Sequence, residues 1–193
     1  MKLFSISPAL IVALLLGGYP TLSPALARTE IAQSVWRLFA SPQGDFTILM
    51  PGEPIATQAT TNIDTVAVDI QGFVVQRYDD TVQYLVTRIE IPDELNITES
   101  EPNQLLTAMQ NQILSQTNGQ LVEQSRVMLG DYPGQEMKLQ TVDENDRAFV
   151  VINRIYWVDR QLYQLSVTVP TSLEPSLAGS SQGFLDSFKF VQN

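Results

Sequence analysis

The sequence predicts an α+β fold: a mostly antiparallel β-sheet with helices packed on its faces. Two observations carry this. Short apolar runs, either alternating with polar residues or apolar throughout, recur between turn clusters. They fall before and after one central stretch of helical periodicity, and a second helical stretch closes the chain, which is the order of an α+β domain rather than of repeated βαβ units.

The N-terminus is read first. Lys2 is the only charge before Arg28, residues 9–16 (ALIVALLL) are apolar, Gly17-Gly18-Tyr19-Pro20 interrupts them, and Ala25-Leu26-Ala27 is a small-x-small site. This order predicts a secretory signal peptide over 1–27. As a membrane anchor the apolar run would rise only about 12 Å, against roughly 30 Å of hydrocarbon. Residues 28–35 are a lead-in and 36–193 a single domain, with no internal repeat or linker.

Within the domain, residues 36–39 and 46–50 read as strands separated by Ser41-Pro42-Gln43-Gly44-Asp45. Strands over 65–70, 73–78 and 82–91 follow as a meander, with turns at Gln71-Gly72 and Asp79-Asp80-Thr81. Leu105, Met109 and Ile113 recur at helical spacing; Thr98 or Ser100 caps this helix, Pro102 sits in its first turn and Asn118-Gly119 stops it. Asp131-Tyr132-Pro133-Gly134 reads as a type II turn between strands 121–129 and 136–142. Strands 149–158 and 162–169 come next. The second alternates cleanly, with Tyr163, Leu165, Val167 and Val169 on one face and Gln164, Ser166 and Thr168 on the other. A terminal helix over 175–188 turns Leu177, Phe184, Leu185 and Phe188 inward.

Composition restricts the chemistry. The chain holds no histidine and no cysteine, which excludes Ser-His-Asp and Cys-His nucleophiles, the common zinc sites and thiol redox chemistry. Gly179-Ser180-Ser181-Gln182-Gly183 spells the nucleophile-elbow string, but it has neither a base nor a preceding strand. A Ser-Lys dyad has only Lys138 or Lys189 to draw on beyond the leader. Carboxylate-pair hydrolysis remains as an alternative, with Asp69, Glu90, Glu123 and Glu136 as its acids. The net charge of −10 disfavours nucleic acid and anionic lipid and suits a basic protein partner.

Asp143-Glu144-Asn145-Asp146 is the densest acidic stretch. Asp143 and Asn145 fill two slots of a calcium loop and Asp146 adds a third oxygen donor, but Arg147 and Ala148 stand where a third ligand and the obligatory glycine belong. The stretch therefore reads as a hairpin tip between strands 136–142 and 149–158, with weak calcium binding as the other reading. No further cofactor is expected.

Several strings carry a family resemblance: YPGQEMKL, RAFVVINRIYWVDRQLYQLSVTVP and FLDSFKF, preceded by FTILMPGEP at 46–54. They resemble exported bacterial proteins, many of them cyanobacterial, of the PsbP/Mog1 type. The matching positions are Pro133, Gly134 and Glu136; Arg154 and Tyr156; Leu162 and Tyr163; and Phe184, Ser187 and Phe188. The likeness is at the level of the fold and not to PsbP proper: the plant members' metal-binding histidines have no counterpart. The resemblance implies an α/β/α sandwich. It further implies a non-catalytic accessory or assembly protein that docks on the luminal or periplasmic side of a membrane complex, such as photosystem II. The protein would be soluble or peripherally membrane-associated, in the periplasm or thylakoid lumen. Charge density makes Asp79, Asp80, Asp143, Glu144 and Asp146 the expected docking residues. A small-molecule or calcium-binding envelope module, with its pocket between helix and sheet, is the alternative.

Overall fold

The computed structural model describes residues 36–63, 66–95 and 102–191. The expected signal peptide, the lead-in and the helix cap at Thr98 or Ser100 lie outside the described residues. The strands are β1 (Arg37–Ala40), β2 (Phe46–Met50), β3 (Ile55–Ile63), β4 (Val66–Arg77) and β5 (Val82–Glu90), then β6 (Gln120–Leu129), β7 (Tyr132–Val142), β8 (Ala148–Val158), β9 (Gln161–Pro170) and β10 (Lys189–Phe190). Helix α1 (Pro102–Thr117) lies between β5 and β6, and α2 (Glu174–Asp186) between β9 and β10.

Seven strands form one sheet in the order β3-β4-β5-β9-β8-β7-β6, and β1-β2-β10 form a small second sheet. Every pairing is antiparallel. Because side chains alternate along a strand, the large sheet has two working faces. On one face Tyr84, Val86, Val150, Tyr156, Tyr163, Leu165 and Val167 pack against Phe184 and Leu185 of α2 and against Phe46 and Ile48 of the small sheet. On the other, Ile70, Ile89, Val151, Ile155, Trp157 and Leu162 pack against Leu105, Leu106, Met109 and Ile113 of α1. The helices thus cover opposite faces, and the fold is the expected α/β/α sandwich.

Two expectations are corrected, and one strand is added. No turn interrupts the chain at Gln71-Gly72: β4 is one strand of 12 residues. Its glycine suggested a break, but the residues around it are ordinary strand formers, and continuous pairing with β3 and β5 outweighs glycine's weak preference. Strand β3, over IATQATTNI, was not foreseen because its apolar residues are too sparse to signal a strand. The turn before β7 falls at Gly130-Asp131, with Gly130 at φ 60°, while Tyr132, Pro133 and Gly134 already belong to β7.

Local chemistry explains the remaining joints. Asn118, at φ 46°, ends α1 in the left-handed conformation that asparagine tolerates. Asp159 and Arg160 both have positive φ and form the two-residue turn between β8 and β9. At the end of α2, the Ser187 hydroxyl donates to the Phe184 carbonyl and accepts from the Leu49 N–H, which fastens the helix to β2.

Candidate functional site: the acidic end of the sheet

Strand register brings together two loops that are far apart in sequence. Gln83 at the start of β5 pairs with Thr168 of β9, and Thr168 pairs with Val151 at the start of β8. The β4–β5 turn and the β7–β8 turn therefore sit at the same end of the sheet, with β9 between them. At about 4.8 Å per strand, β5 and β8 lie roughly 10 Å apart.

The β4–β5 turn is built from three consecutive left-handed residues, Tyr78, Asp79 and Asp80, at φ 55°, 52° and 62°. It closes with the Thr81 hydroxyl and N–H donating to the Tyr78 carbonyl. This backbone throws the Asp79 and Asp80 carboxylates and the Tyr78 ring into solvent. In the β7–β8 turn, one Asp143 oxygen accepts from the backbone N–H groups of Asn145 and Arg147 at 2.9 Å, and the other accepts from the Arg147 guanidinium at 2.7 Å. Slight desolvation opposes ionisation of Asp143, but these bonds outweigh it and hold its carboxyl below the usual carboxylate range.

The five expected docking acids thus divide. Asp143 serves its own turn. Asp79, Asp80, Glu144 and Asp146 make no ion pair among the described residues. At the opposite end of the sheet, by contrast, Asp93 pairs with Arg160 at 2.9 Å and Asp159 accepts from the Tyr132 hydroxyl at 3.0 Å.

Two apolar side chains stand beside these acids: Tyr78, 56 % exposed, and Val142, 61 % exposed. Next to Val142 opens a groove of about 350 Å³, lined among others by Asn118, Thr141, Phe149 and Thr171. Neither Tyr78 nor Val142 was picked out from sequence, because nothing in a strand-end residue shows that its side chain will project from the sheet's rim.

The oxygen donors Asp143, Asn145 and Asp146 do share one tip, but both Asp143 oxygens are taken by Asn145 and Arg147. Among the described residues no group of three or more acidic side chains is gathered as a metal site. The four hydrolytic candidates split into two pairs on the α2 face. Asp69 and Glu90 lie near the β4–β5 side, and Glu123 and Glu136 are diagonal neighbours on β6 and β7. Three strand spacings, about 14 Å, separate β5 from β7. Glu136 is held by Arg154 at 2.7 Å and Asp69 accepts from the Thr60 hydroxyl at 2.7 Å. Ser181 is buried on the inner face of α2, and Lys138 is committed to Glu174 at 2.9 Å.

A feature of the interior also escaped the sequence reading. The polar residues of β9 do alternate with the apolar ones, but Gln164 and Ser166 face α1 and are buried. Thr87 pairs with Gln164 across the β5–β9 ladder, and Asn153 pairs with Ser166 across β8–β9. The Gln164 amide donates to Asn153 Oδ1 at 2.9 Å. Thr87 Oγ1, Asn153 Nδ2, Gln164 Oε1 and Ser166 Oγ are left with no partner.

No family model matches the sequence, and no curated protein matches it. Among solved structures, the cyanobacterial PsbP (CyanoP) of Synechocystis sp. PCC 6803 superposes with a TM-score of 0.56 at 11 % identity, covering 88 % of this chain and 100 % of that one. The fold is PsbP-like. A Pseudomonas aeruginosa protein of unknown function, described as a putative regulator, superposes at 0.50 with 10 % identity over 82 % of this chain and 97 % of its own. The Saccharomyces cerevisiae Ran-binding protein Mog1p gives 0.48 and 13 %, over 83 % and 97 %. Identities this low speak to fold alone. Among the described residues no helix is long and apolar enough to cross a membrane.

Proposed function

We propose that this chain is an exported, non-catalytic accessory protein that docks through the acidic end of its sheet onto a basic surface of a membrane complex, on the luminal or periplasmic side. One observation carries the reading. Two acidic turns, far apart in sequence, sit at the same end of the sheet, with four carboxylates that make no ion pair among the described residues, Tyr78 exposed beside one turn and Val142 beside the other. Free charge with an exposed apolar side chain beside each turn suits a transient protein interface, with charge steering the encounter and apolar contact holding it. A non-catalytic role is supported by Glu136 being held by Arg154 and Asp69 by Thr60, one acid of each hydrolytic pair. The signal peptide read from the sequence supports export, and the PsbP-like fold makes photosystem II subunits the first partners to test.

Affinity capture from native membranes at low and then high salt tests the reading. Exposed charges are screened beyond about 10 Å at 0.1 M salt, so a docked complex captured at low salt is released by the high-salt wash. The loss of capture on reversing Asp79, Asp80, Glu144 and Asp146 to lysine locates the site. Salt-indifferent capture, or capture untouched by the reversals, removes it.

A small-molecule module is the second reading, favoured by the buried polar cluster of Thr87, Asn153, Gln164 and Ser166. An orphaned buried group costs about 1–3 kcal/mol, and four of them together rival the whole stability of a domain. Water or a small uncharged molecule with both donors and acceptors would complete their bonds. Native mass spectrometry of protein isolated from its source decides: a bound mass supports this reading, and the bare chain mass removes it.

A further inference from the structure

The two edges of the seven-stranded sheet are unlike. The β6 edge carries Glu123 and Arg126, and its register shifts between Leu121 and Glu123. Charges and bulges of this kind discourage pairing with another chain. The β3 edge has neither. Its nine residues, IATQATTNI, include no charge and no proline, and they pair with β4 without a register shift. On its outer side β3 has no strand neighbour among the described residues. An uncharged, unbroken edge of this length is a template for another strand.

The identity of that strand is written in β3 itself. About Ala59 the sequence is nearly two-fold symmetric: Ile55 answers Ile63 and Thr57 answers Thr61, while the unmatched positions, Ala56 with Asn62 and Gln58 with Thr60, are all uncharged. Antiparallel pairing about a two-fold axis through Ala59 and normal to the sheet sets each residue against its counterpart. Facing residues then have the same parity in sequence, so the alternation of faces continues unbroken from one sheet into the next.

We propose that β3 pairs with β3 of a second copy of this chain, joining two seven-stranded sheets into one continuous sheet across a two-fold axis at Ala59. Antiparallel pairing points the acidic ends of the two copies in opposite directions. With the docking surface proposed above, the dimer bridges two basic surfaces rather than gripping one twice. The chain is strongly acidic, so salt strengthens this dimer by screening repulsion between the copies, whereas it weakens docking.

The experiment uses the purified chain, whose lack of cysteine makes any introduced thiol unique. Sedimentation of the wild type over a concentration series is expected to show a monomer–dimer equilibrium that shifts toward dimer with salt. In Ala59→Cys, directly opposed residues are about 4.5–5.5 Å apart between Cα atoms, inside the range a disulfide spans. Mild oxidation therefore gives a covalent dimer, whereas Val122→Cys on the β6 edge stays monomeric. Ala59→Lys sets two like charges against each other at the axis and weakens the dimer about tenfold or more, with the circular dichroism spectrum unchanged. A wild type monomeric at every concentration overturns the proposal. So does a dimer that Ala59→Lys leaves intact, or one in which Val122→Cys cross-links in place of Ala59→Cys. Failure of partner capture leaves these readouts untouched, so the dimer and the docking surface stand or fall separately.

Discussion

Gly134 has no room for a methyl group. A Cβ at that position would lie 2.6 Å from the Ile155 carbonyl oxygen and still closer to the Tyr156 ring, and the backbone oxygen cannot move aside. Gly134→Ala is therefore expected to cost about 1–3 kcal/mol in a denaturant titration, as overpacking of a core does. Ser166 presents the opposite case, a buried hydroxyl with no partner. In ligand-free protein Ser166→Ala should raise stability by about 1 kcal/mol, and a loss of stability would show that a bound molecule or water holds the hydroxyl. The buried tyrosines set the alkaline limit. Burial pushes the hydroxyls of Tyr84, Tyr156 and Tyr163 above the ordinary value of 10.0, and for Tyr163 the Asp45 carboxylate adds to the effect. Their folded pKa values are raised, so the stability linked to them is complete below pH 10 and is lost as the pH climbs through the folded values. Asp186 gives the acid limit. Slight desolvation opposes its ionisation, but the Gln182 amide and the Arg154 guanidinium hold its carboxyl below 3.8. That contribution is present above about pH 4 and fades as the pH falls through the lower folded value. A thermal-melt series across pH would show both limits.

At the level of elements, a few polar contacts decide where the secondary structures sit. Arg154 of β8 is buried and reaches Glu136 on β7 at 2.7 Å and Asp186 at the end of α2 at 2.9 Å, so one guanidinium fixes the helix to the sheet. Arg154→Ala is expected to destabilise by about 2–4 kcal/mol; the cost stays below that of a fully buried pair because Asp186 is more than half exposed. The small sheet is tied down by Asp45, which accepts from the Tyr163 hydroxyl at 2.9 Å and pairs with Arg88 at 2.7 Å. Tyr163→Phe keeps the ring that packs on Phe46 and Phe188 and removes the hydroxyl. The expected loss is about 1 kcal/mol, with β1 and β2 showing the largest rise in amide hydrogen exchange. The sequence disclosed these elements unequally. Strands β5, β8 and β9 and helix α1 were legible, since each carries a strong apolar period and a marked stop. β3 was hidden by its sparse apolar residues, and Gly72 and Pro133-Gly134 mimicked turns inside strands whose pairing overrides them.

For the molecule as a whole, charge distribution separates the two surfaces. The acidic end should bind a basic partner less tightly as salt rises, while the β3 edge, which carries no charge, should self-associate more tightly. A single salt series followed by capture and by sedimentation reads both. The candidate site was legible in its residue types, since runs of Asp and Glu at turns mark exposed loops whatever the topology. Its assembly was not legible. Only the strand order β4-β5-β9-β8-β7 sets residues 78–80 beside residues 143–146, and single-sequence periodicity carries no information on which distant strands pair.

Several features are fixed by the sequence alone. Local periodicity sets the α+β class and most of the strands, the absence of histidine and cysteine removes whole families of chemistry, and the N-terminal pattern is what the proposed export rests on. These are properties of neighbouring residues, or of composition. The tertiary structure decides the rest: that the polar face of β9 is buried under α1, that Asp143 is spent on its own turn, that the hydrolytic carboxylates split into separated pairs, and that β3 is left at the rim. Each depends on which strands lie side by side, and that choice is made by the burial of two whole faces at once rather than by any local segment.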